Sequence, residues 1–244
     1  MLRTITNISG VGIIFREKNP SEIFIEIKDD SHPIKLVRRC LCLIGGNWIG
    51  NMAKFDKSPL DTFRREVKEE LSFERPIRNE KELEFLGVIN KSEIFEPTFK
   101  SARPVTQKDI ETLTDIKNVI CEKCIPFGAF LNTITKVAMD VADPNNTRES
   151  FTSLECVYVI PMNEYYWEQL EFLQNAFGNL SDESISVITS LDKIIDNNIN
   201  SAFGYDRALQ KFFLSHGFDK AKQMSLAEEI ESEYLGAIMA SYEE

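Results

Sequence analysis

Lys57 to Phe73 reads K-S-P-L-D-T-F-R-R-E-V-K-E-E-L-S-F. Ser58-Pro59-Leu60-Asp61 predicts a helix start, with Ser58 as N-cap, Pro59 at the first helical position and Asp61 completing a capping box. Leu60, Phe63, Val67 and Leu71 recur at three- and four-residue steps, which makes one apolar stripe for a core. Glu66, Glu69 and Glu70 fall away from that stripe and share a face. Like charges at this spacing repel by about 0.2–0.5 kcal/mol per pair, so packing gives no reason to gather them. A hard divalent cation gives one, because Mg²⁺ takes oxygen ligands and shares them with substrate phosphates. Arg65 stands one turn before Glu69 and can pair with it. A solvated acidic face accounts for the same pattern, so spacing alone leaves both readings open.

Working outward, Arg39 to Ile44 (R-C-L-C-L-I) predicts a buried strand that runs into Gly45-Gly46. The glycine pair followed by R-E-V-K-E-E-L-S-F resembles the Nudix box, with matches at Gly46, Arg65, Glu66, Val67, Glu69, Glu70 and the apolar Phe73. Lys57 stands where that family has its first glutamate, and Ser72 where it has a glycine. A left-handed helix end at Ser72 would cost about 1 kcal/mol. The gap from the glycine to R-E is longer than the family's by about five residues, taken up by Trp48 to Phe55.

The resemblance implies an α/β (α+β) fold, a Nudix-type α/β/α sandwich around a mixed sheet. It implies Mg²⁺ or Mn²⁺ as cofactor, held by Glu66, Glu69, Glu70 and the backbone carbonyl of Gly45. In the family the glutamate matching Glu66 is either a ligand or the base that activates water. Arg65 is expected to orient the glutamates. Glu183, in D-E-S-I-S-V-I-T-S-L-D, matches a late acidic residue that is a further metal ligand or base in several members. The activity implied is hydrolysis of a diphosphate linkage in a nucleoside-diphosphate-linked small molecule. A catalytically weak relative that binds a nucleotide or a partner is the alternative, and the Lys57 charge favours it.

The chain has 244 residues, enough for one large domain with an added lobe. A net charge of −11 argues against gripping a nucleic-acid backbone, which needs a basic stripe. It does not oppose a small anionic substrate, because a bound cation reverses the local field. No apolar run reaches membrane-spanning length, and the N-terminus lacks the pattern of a signal peptide. Five cysteines without a secretory context suit reduced thiols, so a cytoplasmic location is expected.

Val11–Phe15 and Ile23–Ile27 predict a hairpin around Asn19-Pro20-Ser21, and Leu36 to Ile44 a further strand. Strands are also expected at Leu83–Asn90, Phe127–Val141 and Phe151–Met162, the last two joined through Asp143-Pro144-Asn145-Asn146. Glu155 alternates with apolar neighbours and is expected to face either a ligand or solvent. A helical insertion over about 97–126 should cover one edge of the sheet; the resemblance implies that it shapes the substrate pocket. Glu164–Phe177 predicts a helix whose aromatics either fill the core or stack a base. Ala202–Gly217 reads as a closing helix, which sets the domain at 1–217. Residues 218–244 then read as a helical tail, docked on the domain or forming a homodimer contact. Cys121 and Cys124 form a lone C-x-x-C, weak as a zinc or redox signal.

Overall fold

β1 (Asn7–Arg16) is buried along most of its length because it lies at the centre of the sheet. The computed structural model that shows this describes residues 5, 7–29, 32, 37–49, 56–74, 103–134, 137–138, 147–148, 151–226 and 230–234. The expected strand at Leu83–Asn90, the start of the insertion and the Asp143–Asn146 turn lie outside them.

The strands that follow are β2 (Asn19–Ile27), β3 (Leu41–Cys42), β4 (Ile44–Ile49), β5 (Ile125–Ile134), β6 (Val137–Ala138) and β7 (Thr147–Arg148). β8 (Phe151–Met162), β9 (Ile185–Ser190) and β10 (Ile230–Tyr234) complete them. The helices are α1 (Pro59–Glu70), α2 (Gln107–Glu122), α3 (Glu164–Phe177), α4 (Leu191–Asp196) and α5 (Tyr205–Ser215). An eight-stranded mixed sheet follows the order β10-β5-β8-β1-β2-β3, with β4 also paired to β1 and β9 to β2. β1 and β8 are parallel from Asn7↔Ser153 to Arg16↔Met162, whereas the other pairings are antiparallel.

Two cores flank this sheet. On one face Phe63 and Val67 of α1 pack with Leu113, Ile116 and Ile120 of α2 and with Trp167, Leu170 and Leu173 of α3. On the other, Leu191 and Ile194 of α4 and Tyr205, Leu209, Phe212 and Phe213 of α5 cover Val11, Ile13, Ile25 and Val157. The molecule is an α/β/α sandwich, as the sequence predicts. Among the described residues no helix is long and apolar enough to cross a membrane.

Three local expectations are corrected. The strand expected over Arg39 to Ile44 is two: β3 is a separate two-residue strand, and Gly45 and Gly46 lie inside β4 instead of following its end. Leu41–Cys42 pairs with β2, after which Ile44 to Ile49 crosses to β1, so a left-handed Gly45 (φ +138°) marks the changeover. The insertion's helix, α2, joins the layer over a face of the sheet instead of covering its edge. It begins with a complete Thr106–Asp109 capping box. The tail is not wholly helical. Asp219–Gln223 is a 3-10 turn, and Ile230–Tyr234 pairs with β5 in the main sheet.

Candidate functional site

The site grows from how α1 is seated. Ser58 Oγ accepts from the Asp61 N–H at 3.2 Å, and an Asp61 carboxylate oxygen accepts from the Lys57 N–H at 3.2 Å. The reciprocal half of the expected capping box therefore falls on Lys57, whose side chain is exposed. Glycines on the facing side of β1 let the helix approach. A Cβ at Gly10 would lie 1.8 Å from the Pro59 carbonyl oxygen, and one at Gly12 would lie 2.4 Å from the Phe63 ring.

α1 ends without a left-handed cap. Leu71 is extended (φ −77°, ψ 110°) and bridges to Ser181, while the Ser72 N–H donates to the Leu180 carbonyl at 2.9 Å. The expected cost at Ser72 therefore does not arise. The Asp182 N–H donates to the Glu70 carbonyl at 3.0 Å, which brings Glu183 beside the helix. Residues far apart in sequence are joined at one point by these backbone bonds.

Four carboxylates form a gradient from interior to rim. Glu70 is buried at 3% exposure, and one of its oxygens accepts from the Gly45 N–H at 3.2 Å. Gly45, expected to act through its carbonyl, thus meets the cluster through its amide. Glu66 is partly buried and lies on Gly46, where an added Cβ would come within 2.2 Å of its Oε1. Glu69 and Glu183 are exposed. Arg65 spans the group, with Nη1 2.7 Å from Glu69 Oε2, Nη2 2.8 Å from Glu66 Oε1 and Nε 3.0 Å from Asp56 Oδ2.

Electrostatics follow this burial. Desolvation raises the Glu66 pKa; the Arg65 charge opposes the shift, and Glu69 and Glu183 add to it. Desolvation also holds the Glu70 carboxyl well above its ordinary range, with Glu26, Glu66 and Glu183 raising it further and Lys28 opposing. These carboxylates act on one another across two segments of chain.

Sequence reasoning missed three members. Glu26 is fully buried on β2, where its Oε1 accepts from Ser181 Oγ at 2.6 Å. Lys28 Nζ lies 3.4 Å from Glu26 Oε2 and donates to Ser184 Oγ at 2.8 Å. Asp56 anchors Arg65 and accepts from Thr62 Oγ1 at 3.0 Å. The available signal was a glutamate and a lysine at alternate positions continuing the apolar strand I-F-I-E-I-K.

Other expectations settle away from the site. Glu155 faces neither solvent nor the α1 carboxylates. It is buried on the opposite face of the sheet, where the Ser9 and Ser153 hydroxyls donate to it. Of the α3 aromatics, Trp167 and Phe177 are core, whereas Tyr165 and Phe172 are exposed. Cys121 and Cys124 are free thiols; burial raises both, Cys124 to about 12, which leaves them protonated and unreactive.

In kind, the Glu66, Glu69, Glu70 and Glu183 oxygens suit a hard divalent cation, and the glycine pair keeps β4 side chains out of the cluster. Among the described residues no group of three or more His, Cys, Asp or Glu side chains is arranged to hold a metal ion. Arg65 is ion-paired with both Glu66 and Glu69. No known family profile and no curated protein matches the chain.

Proposed function

We propose that this protein hydrolyses a diphosphate linkage in a nucleoside-diphosphate-linked small molecule, with Mg²⁺ or Mn²⁺ as cofactor. The observation that carries the reading is the placing of Glu66 on Gly46 and of Glu70 on the Gly45 amide, with the segment that carries Glu183 bonded to the Glu70 carbonyl. A packed interior has no use for mutually repelling carboxylates, whereas a phosphate-bound cation does. Glu69, Glu70 and Glu183 would hold the ion, which would supply charge stabilisation for the phosphate oxygens, leaving Glu66 as the base.

The chain's own residues do the rest. Water attacks one phosphorus, the bridging P–O bond breaks, and two phosphate-bearing products leave. Glu66, whose pKa burial moves toward neutrality, accepts the proton lost by water. Arg65 orients Glu66 and Glu69 and is itself fixed by Asp56.

Phosphate release is measured against a panel of diphosphate-linked nucleotides with Mg²⁺ and Mn²⁺, with Glu69→Gln beside the wild type. The variant is expected to lose about 100-fold or more in turnover. Because Glu69 is exposed, its melting temperature should stay within about 2 °C of the wild type. Retained activity with a large loss of stability would remove Glu69 from the site.

A second reading, a domain that binds a nucleotide or a partner without catalysis, is favoured by the ion pairs that already neutralise Glu66 and Glu69. Silence across the panel, together with a nucleotide that raises the melting temperature, selects it.

A further inference from the structure

The base of the carboxylate cluster contains a cation of its own. Lys28 is 9% exposed, at the end of β2, and its ammonium has two polar contacts from different segments. One is Glu26 Oε2 at 3.4 Å; the other is Ser184 Oγ at 2.8 Å, next to Glu183 in the chain. Glu26 is in turn held by Ser181, and Ser181 bridges to Leu71, the residue after Glu70. The lysine therefore sits at the point where β2, the end of α1 and the 180–184 segment meet.

Burial alone works against an ammonium here, yet Lys28 is held charged by the groups around it. Of these, the Cys42 thiol is pushed up to about 12 by burial and is neutral near pH 7. The carboxylate in contact with Lys28 is Glu26; Glu70 and Glu183 act on it at longer range. A buried charge left without its partner is costly, so this lysine and the acids it faces were placed as a unit.

We infer that Lys28 is a positioning residue whose ammonium stands in for a cation at the buried end of the carboxylate cluster, limiting how tightly the site holds a divalent metal. The inference rests on the reading of the cluster as a metal site. It also gives that site a division of labour. Glu26 is balanced by the protein, Lys28 shares Glu70 with the exchangeable ion, and Glu69 and Glu183 are left to that ion. The coupling is electrostatic and therefore has a sign. Removing the lysine charge should tighten Mn²⁺ binding, whereas removing the Glu26 charge should weaken it by leaving Lys28 less compensated. A lysine with a merely structural role would weaken binding in both variants.

The test is a titration of the full chain with Mn²⁺, reading free Mn²⁺ by electron paramagnetic resonance, for the wild type, Lys28→Met, Glu26→Gln and Glu69→Gln. Lys28→Met is expected to bind Mn²⁺ about tenfold more tightly than the wild type, and Glu26→Gln several-fold more weakly. If Lys28→Met does not fold in chelator, Glu26→Gln decides, with weaker Mn²⁺ binding supporting the inference. Weaker or unchanged binding by a folded Lys28→Met overturns the inference, as does an unchanged affinity of Glu26→Gln where Lys28→Met does not fold. The underlying metal reading fails separately. If neither wild type nor Glu69→Gln binds Mn²⁺ but Lys28→Met does, the hydrolase reading falls and the assignment of Lys28 stands. If the wild type binds Mn²⁺ and Glu69→Gln weakens it, while Lys28→Met does not tighten it, the reverse holds.

Discussion

Glu155 shows what a single buried carboxyl does to the stability of this fold. Burial on the α5 face of the sheet pushes its pKa up from 4.5 to about 7, with the Ser153 and Tyr205 hydroxyls opposing the shift. The folded state therefore binds a proton more tightly than the unfolded chain between these two values. Stability is highest with Glu155 protonated and falls as pH rises through that window. The interval from 4.5 to about 7 corresponds to about 3 kcal/mol once pH exceeds the upper value. Glu155→Gln keeps an acceptor for the two serines and removes the charge. Urea unfolding at pH 5 and pH 8 should show a fall for the wild type that is smaller in the variant, and equal falls would show that Glu155 does not titrate in the folded protein. Little in the local pattern marks this residue, because alternation places it on a face without saying that serines from β1 and β8 line that face.

α1 is the element whose sequence and structure agree most closely, and the agreement has a local cause. Ser58, Pro59, Asp61 and the Phe63–Val67 stripe all act within one or two turns, so no distant partner is needed to read them. The elements around it were harder. Gly45-Gly46 reads as the end of a strand, yet continues one, because a glycine at 45 tolerates φ +138° with the Gly10 carbonyl oxygen 2.2 Å from where a Cβ would be. Glu26 and Lys28 carry no local signal of their role because their partners, Ser181 and Ser184, lie more than 150 residues along the chain. The Nudix resemblance did name Glu66, Glu69, Glu70 and Glu183, and the structure places them around the end of α1 that meets the 180–184 segment. Because the platform rests on its cap, Ser58→Ala should cost about 1 kcal/mol. Denaturant unfolding should give a lower midpoint with an unchanged slope. An unchanged midpoint would mean that packing against Gly10 and Gly12 seats the helix without help from Ser58.

At the scale of the molecule, the sandwich depends on closing one edge of its sheet with the last described segment. β5 pairs with β8 on one side and with Ile230–Tyr234 on the other, from Phe130↔Tyr234 to Ile134↔Ile230. I-E-S-E-Y alternates with a period of two, which suits a strand, but its five residues sit among helix-like spacings that mask the alternation. What decided the outcome is the unpaired row of β5 N–H and C=O groups, which the tail satisfies. Deletion of residues 225–244 leaves that row open. The truncated chain should melt more than about 5 °C lower than the full chain, given about 1 kcal/mol for each backbone hydrogen bond lost. It should also self-associate with rising concentration in sedimentation experiments, since an open edge is a template for a second copy. A tail that merely rested on the domain would be removed with melting and sedimentation unchanged, so the two measurements together decide whether β10 belongs to the fold or is only attached to it.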